Sequence, residues 1–147
     1  MSLHGSVITY ILAIVLIIIL IWVIHRQVKE HHLQDDPMLH LLRKVLTPIQ
    51  YNDKSIMDGV QLYKGDKSYT INKEKIFLCL YDENGEYYPL NTVLEVCSHE
   101  IAHYLNRADV GHTENFYKIF DHILKEAQKL GIYNPNIPLV QNYCNYK

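Results

Sequence analysis

Between Val7 and Ile24 the chain reads VITYILAIVLIIILIWVI, eighteen residues without a charge, a glycine or a proline. No other feature narrows the possible folds as much. As a helix rising about 1.5 Å per residue, the run covers about 27 Å, close to the hydrocarbon thickness of a bilayer. Tyr10 and Trp22 stand near its two ends, where amphipathic rings favour the membrane interface. A cleaved signal peptide fits less well. No basic segment precedes the run, its apolar core exceeds the usual ~7–15 residues, and no small-x-small site follows Ile24. A buried core helix with no polar face would need a much larger domain around it. Residues 1–24 are therefore expected to be an uncleaved transmembrane anchor, meeting the lipid bilayer through residues 7–24.

The flanks give an orientation. MSLHGS before the run carries only the terminal amine, whereas HRQVK after it carries Arg26 and Lys29. The positive-inside bias then places a single-pass protein N-out and C-in, with the domain in the cytosol. The lack of an Asn-x-Ser/Thr sequon agrees. So do the three cysteines (Cys79, Cys97, Cys144), odd in number and spaced unlike a disulfide framework.

All thirty charged side chains follow Ile24, and the formal net charge is -2. That balance argues against a nucleic-acid partner, which calls for a basic surplus. The 147 residues leave room for one compact domain. Residues 25–37 read as a polar juxtamembrane linker, and its His25, His31 and His32 as solvated side chains. Residues 38–147 read as the domain. Met38, Leu41, Leu42, Val45, Leu46 and Ile49 recur at helical spacing, with Asp36 as N-cap and Pro37 at the first position. VQLYK, SYTIN and KIFLCLY are β-branched and aromatic runs separated by turn residues, and the last is apolar on both parities. Two amphipathic helices follow, over 91–107 with Asn91 as a possible N-cap, and over 113–130 with Gly131 as the stop. The tail, with two prolines, reads as a wrapping loop. The fold class is α+β: a three-stranded sheet plus two helices behind one apolar N-terminal helix.

The first of those two helices carries the chemistry. Ser98-His99-Glu100-Ile101-Ala102-His103 contains H-E-x-x-H. Residues four apart on a helix are offset by about 40° and one turn, so two imidazoles reach one ion from one face. Glu100, about 100° round from His99, stands at the edge of that face, where it can take a proton from an activated water without being a ligand. Zn2+ suits neutral imidazoles, and three protein ligands leave one position for water. With nine His and eight Glu in the chain, chance gives such a motif with odds of roughly three in a hundred.

Three residues compete to be the third ligand. His112 lies nine residues past His103 in a Gly-His-Thr turn. Asp109 stands six past it, at the metzincin spacing, with Asn106 where the metzincin glycine turns the chain. All three methionines (Met1, Met38, Met57) lie upstream, however, so a methionine turn is missing. Glu126 is the gluzincin-style choice, without the N-E-x-x-S-D context. A third imidazole suits zinc better than a carboxylate, and His112 is preferred.

The stretch H-E-I-A-H-(x8)-H-T-E-N-F, from His99 to Phe116, resembles the WLM and SprT-like zinc metallopeptidases. INKEKIFLCLYDENGEYYPLNTVLEVCSHE before it resembles the WLM succession of strand, acidic turn and active-site helix. The likeness covers roughly residues 60–130. It implies a small zincin-like fold with His99, His103 and His112 as zinc ligands, Glu100 as catalytic acid/base and Phe116 as a packing residue. It also implies that the strand around Ile76–Leu80 borders the cleft and can pair with an extended peptide. Members linked to DNA–protein crosslink repair carry added DNA- or ubiquitin-related regions for which this chain has no room, so that role is not carried over.

The expected function is thus a membrane-anchored zinc metallopeptidase acting on protein or peptide substrates near a membrane surface. The alternative is a non-catalytic, zinc-stabilised membrane protein with a binding or structural role. Among other residues, Cys97 should face the core, about 200° from His99. Tyr104, Arg107 and Tyr133 are candidates to stabilise an oxyanion, and Asp109 to orient a ligand imidazole. His122 reads as a surface or boundary residue, Cys79 as core and Cys144 as an exposed tail thiol.

Overall fold

A computed structural model describes residues 3–145, so residues 1, 2, 146 and 147 of the expected spans lie outside the described ones. Two compact units divide between Leu33 and Gln34.

The first unit is one helix, α1 (Leu3–Gln34). Most of its described apolar side chains are exposed, Val23 and Leu33 being half-buried, and none of its most apolar window is buried in protein. By length and composition α1 can cross a membrane. It runs ten residues past Ile24, through most of the expected linker, because no glycine or proline interrupts residues 25–34. Arg26 supports that extension, pairing with Glu30 at 3.8 Å and lying 5.7 Å over the Trp22 ring.

The second unit begins at Gln34, and its Asp36 is 1% exposed. Its Oδ1 accepts from the Met38 amide at 2.9 Å, capping α2 (Pro37–Leu46) as expected. Its two oxygens also accept from the Tyr81 hydroxyl at 2.6 Å and the Tyr87 hydroxyl at 3.1 Å. A carboxylate out of water needs such donors, so the cap also ties α2 to the turn after the sheet. The buried face of α2 is Leu39, Leu42 and Leu46. It is turned from the expected stripe: Leu41 is exposed, and Leu39 takes the place in the core.

A small hairpin, β1 (Gln50–Tyr51) and β2 (Lys54–Ser55), turns through Asn52 and Asp53, both at positive φ. It was not foreseen. The three expected strands are β3 (Gln61–Lys64), β4 (Tyr69–Ile71) and β5 (Lys75–Leu78), in spatial order β3-β5-β4. β3 runs parallel to β5, and β4 antiparallel to it on the other edge. Asn72 and Lys73, at φ 51° and 52°, make the tight turn that forces the antiparallel pairing. β5 is central, with Ile76 and Leu78 fully buried. It stops before Cys79 because the Cys79 amide goes to Ser68 Oγ at 3.0 Å and its carbonyl to the Tyr143 hydroxyl.

Helices α3 (Leu90–Leu105) and α4 (Glu114–Lys129) pack together, with α3 against β4 and β5. The Thr113 hydroxyl caps α4, accepting from the Phe116 amide at 3.3 Å, and Gly131 follows its end at φ 72°. Asn91 is not the cap of α3. The helix starts at Leu90 without a side-chain cap, and the Asn91 amide instead holds the tail, bonding the Asn134 backbone at 2.8 and 3.1 Å. The core joins Leu42, Leu46, Ile76, Leu94, Ile101 and Phe116 across these layers.

The tail corrects the reading of the cysteines. Cys79 and Cys144 form a disulfide across a Cα–Cα distance of 6.4 Å, and Cys144 is buried. A sequence separation of 65 hides the pairing from any spacing rule. Cys97 is the free cysteine, buried as expected, with its thiol pushed up to about 12 chiefly by burial.

Candidate metal centre

Helix α3 presents His99 and His103 one turn apart, and the loop from Asn106 to Gly111 returns the chain so that His112 meets them. The Nε2 atoms stand 3.2 Å (His99–His103), 3.1 Å (His103–His112) and 3.1 Å (His99–His112) apart. Among the described residues this trio is the group able to hold an ion. A neutral imidazole nitrogen is either a donor or an acceptor. Around a triangle of three such atoms at least one edge must join two alike, so mutual hydrogen bonds cannot satisfy the cluster. One cation facing three lone pairs does. Nitrogens bound tetrahedrally to one zinc at about 2.0–2.1 Å are about 3.3 Å apart, so this donor set fits zinc closely.

The electrostatics keep those lone pairs available. His99 is pushed down to about 4, first by burial, then by the neighbouring His103 and His112. His103 is lowered by burial, by His112 and by Lys73. Phe116, fully buried, forms the floor, its ring centroid 4.4 Å from His103, 4.8 Å from His112 and 4.9 Å from His99. That is the packing place the family resemblance implied.

The loop is pinned from the sheet side. Lys73, in the β4–β5 turn, donates to the Asn106 carbonyl at 2.7 Å and the Asp109 carbonyl at 3.0 Å. The Asn106 side chain accepts from Asn115 at 2.8 Å and donates to Thr113 at 3.2 Å. Asn106 is buried and does not adopt the left-handed turn of the metzincin glycine: its φ is -80° and its ψ 65°.

Glu100 is 8% exposed and borders the same cavity as the histidines. Its Oε2 accepts from the Thr70 hydroxyl at 2.6 Å. Burial raises the carboxyl above its usual range, opposed by the Thr70 bond and by the neighbouring His112.

The rival ligands are engaged elsewhere. The Asp109 carboxylate accepts from Thr113 Oγ1 at 3.3 Å, so it steadies the loop and touches no imidazole in the hydrogen-bond network. Glu126 pairs with Lys129 at 2.6 Å near the end of α4. The oxyanion candidates also point away. Tyr104 donates to the Asp58 carbonyl at 2.9 Å, Arg107 lies 5.1 Å over the Tyr104 ring, and Tyr133 binds the Glu95 carboxylate. His122, half-buried, bonds the Gln50 carbonyl at 2.8 Å. The residues not foreseen are Thr70 and Lys73. Both lie in a short strand-turn-strand whose sequence, SYTINKEK, carries no chemical motif.

No family model matches the chain, and no solved structure matches it. Two viral proteins do. It is 42% identical over 113 residues to Uncharacterized protein 136R of Invertebrate iridescent virus 6, covering 74% of this chain and 63% of that protein. It is 42% identical over 95 residues to Uncharacterized protein 042R of Invertebrate iridescent virus 3, covering 64% of this chain and 59% of that protein. The chain thus spans less than two thirds of the length of either relative.

Proposed function

We propose that this chain is a membrane-anchored zinc-dependent metallopeptidase, a small zincin-like member of the WLM and SprT-like kind. The observation that carries the reading is the Nε2 triangle of His99, His103 and His112 beside a buried glutamate that does not belong to it. A purely structural site would have no use for Glu100. The strand at Ile76–Leu80 does not border the cleft as the resemblance implied, because β5 is paired on both sides by β3 and β4 and has no free edge for a peptide. The edge strand β4 borders the cavity instead, and an extended peptide would lie along it.

The three histidines would hold the ion. When bound, zinc supplies Lewis acidity, drawing electron density from a peptide carbonyl and acidifying water. Glu100 would accept the proton of the attacking water and pass it to the leaving amine. Thr70 donates to Oε2 and leaves Oε1 the freer oxygen for that proton. Burial keeps water around Glu100 sparse and its proton affinity raised, both of which suit a general base.

Substrates on this reading are proteins or peptides within reach of a membrane surface, with α1 as the anchor. The positive-inside bias of Arg26 and Lys29 puts the domain on the cytosolic side. The Cys79–Cys144 disulfide favours an oxidising compartment instead. Protease protection of sealed vesicles carrying the full chain decides between them: a domain digested from the cytosolic face supports the charge rule, and a protected one the disulfide.

The central test is Glu100→Gln in the zinc-loaded full chain. Hydrolysis of a peptide library should fall by about 10²–10⁴ with one zinc per chain retained. If wild type and variant behave alike, the chain is a zinc-stabilised binding or structural protein.

A further inference from the structure

Two cavities meet at the candidate centre. One, about 560 Å³, holds the three histidines and the Lys73–Asp109 side, and the other, about 450 Å³, extends toward the start of α3. Both are bordered by Ser68, His99 and Glu100. A peptide crossing the centre would therefore run from one into the other.

The second cavity has an apolar lining of mixed origin. Val96 comes from α3, Phe120 from α4, and Leu139 and Tyr143 from the tail. The tail has no helix or strand of its own there, yet it is held at many points. Cys144 is bonded covalently to Cys79, and its amide donates to the Tyr88 hydroxyl at 3.1 Å. The Tyr143 hydroxyl donates to the Cys79 carbonyl and lies 3.0 Å from Ser68 Oγ. The Val140 amide reaches Thr92 Oγ1 at 3.4 Å. Asn142 and Cys144 flank Tyr143 at φ 56° and 54°, a left-handed conformation that asparagine tolerates and that is costly at Cys144, where those contacts sustain it. A segment held so firmly in a disfavoured conformation has a shape to keep.

We infer that the tail from Leu139 to Asn145, tethered by Cys79–Cys144, is the substrate-selecting wall of the site, and that the cavity it closes receives a bulky apolar side chain flanking the cleaved bond. This rests on the metallopeptidase reading. The occupant follows from the continuity of the two cavities and from the apolar side chains of Val96, Phe120 and Leu139. Lys67, Glu95 and Asn145 also border the cavity, and the Glu95 carboxylate accepts from the Tyr133 hydroxyl.

The test uses the zinc-loaded full chain in detergent and a quenched-fluorescent peptide library varied on both sides of the cleaved bond. Wild type should favour Leu, Phe or Met at one flanking position over Gly or Asp. Leu139→Ala, at a half-exposed position that spares the fold, should raise KM for those peptides about tenfold and leave kcat within about twofold. Peptides with Gly at that position should be cleaved equally by both. Cys79→Ser with Cys144→Ser should give the same KM-selective loss with one zinc per chain retained. Should that pair fail to fold, Leu139→Ala alone decides. Equal KM values for wild type and Leu139→Ala on every peptide would overturn the inference and leave the peptidase reading standing. A zinc-loaded wild type that cleaves nothing would remove both.

Discussion

The hydroxyl of Thr70, on the edge strand β4, donates a 2.6 Å hydrogen bond to Oε2 of Glu100 on α3. It also lies 3.3 Å from the Glu100 carbonyl, so one threonine grips both the side chain and the backbone of the proposed general base. Thr70 is on this account a positioning residue. Thr70→Val keeps the shape and removes the donor. It should lower kcat about tenfold or more, the worth of one hydrogen bond to a charged group, with KM and zinc content held. Thr70→Ser should restore kcat. A valine variant with wild-type kcat would leave Thr70 without a role in turnover.

The three competing ligands separate by metal analysis. His112→Ala should drop zinc stoichiometry well below one per chain, because two imidazoles remain. Asp109→Asn and Glu126→Gln should keep it at one. The opposite result for Asp109 would mean that the loop rearranges when metal enters.

The zinc-free fold should be acid-sensitive in a defined window. Burial, with the nearby His103 and His112, holds His99 at about 4, below its ordinary 6.5. The unfolded chain therefore takes up this proton first as pH falls. Stability from His99 is unaffected above about 6.5 and is lost progressively from there toward 4. His103 shifts in the same direction and adds to the loss. Melting of the zinc-free chain from pH 7 to pH 4 should show wild type losing Tm faster than His99→Gln. Parallel curves would mean that the proton on His99 costs the fold nothing.

Breaking the disulfide should cost stability as well as selectivity. Closing a loop of 65 residues is worth about 4 kcal/mol on the chain-entropy account, so Cys79→Ser with Cys144→Ser should lower Tm by about 15 °C. A thiol titration checks the pairing directly. The native chain should expose no reactive thiol, since Cys97 is buried with its thiol held near 12, and the denatured chain should give one. Three thiols in the denatured chain would mean an open pair.

Much of this arrangement is legible in the residues. The apolar run, the three strands, the capped α2 and the H-E-x-x-H helix all follow from local periodicity and cap chemistry, which act over a few residues. His112 was reached by ligand chemistry and spacing, and the structure puts its Nε2 beside the other two. What escaped are pairings between distant segments. Thr70 and Glu100 are thirty residues apart, Lys73 and Asp109 thirty-six, Cys79 and Cys144 sixty-five. None has a periodic or compositional signature. Each exists because β4 and the tail are folded against α3, and that packing is decided by the whole core. The rotation of α2 toward Leu39 has the same origin. Leu41 and Leu39 are chemically alike, and only the shape of the opposing surface chooses between them.

The cysteine bond has a topological consequence too. The covalent ring closed by Cys79 and Cys144 contains α3, α4, Glu100 and all three histidines, while Thr70 and Lys73 stand outside it. Val110, in the loop between His103 and His112, is 93% exposed and is a natural place for a protease to cut. A cut there would separate His112 from the other two ligands along the backbone but not in the molecule. Both pieces would stay joined through the sulfurs, held by the same packing, and would part only on reduction. The metal centre is in this sense insured against the commonest injury to an exposed loop.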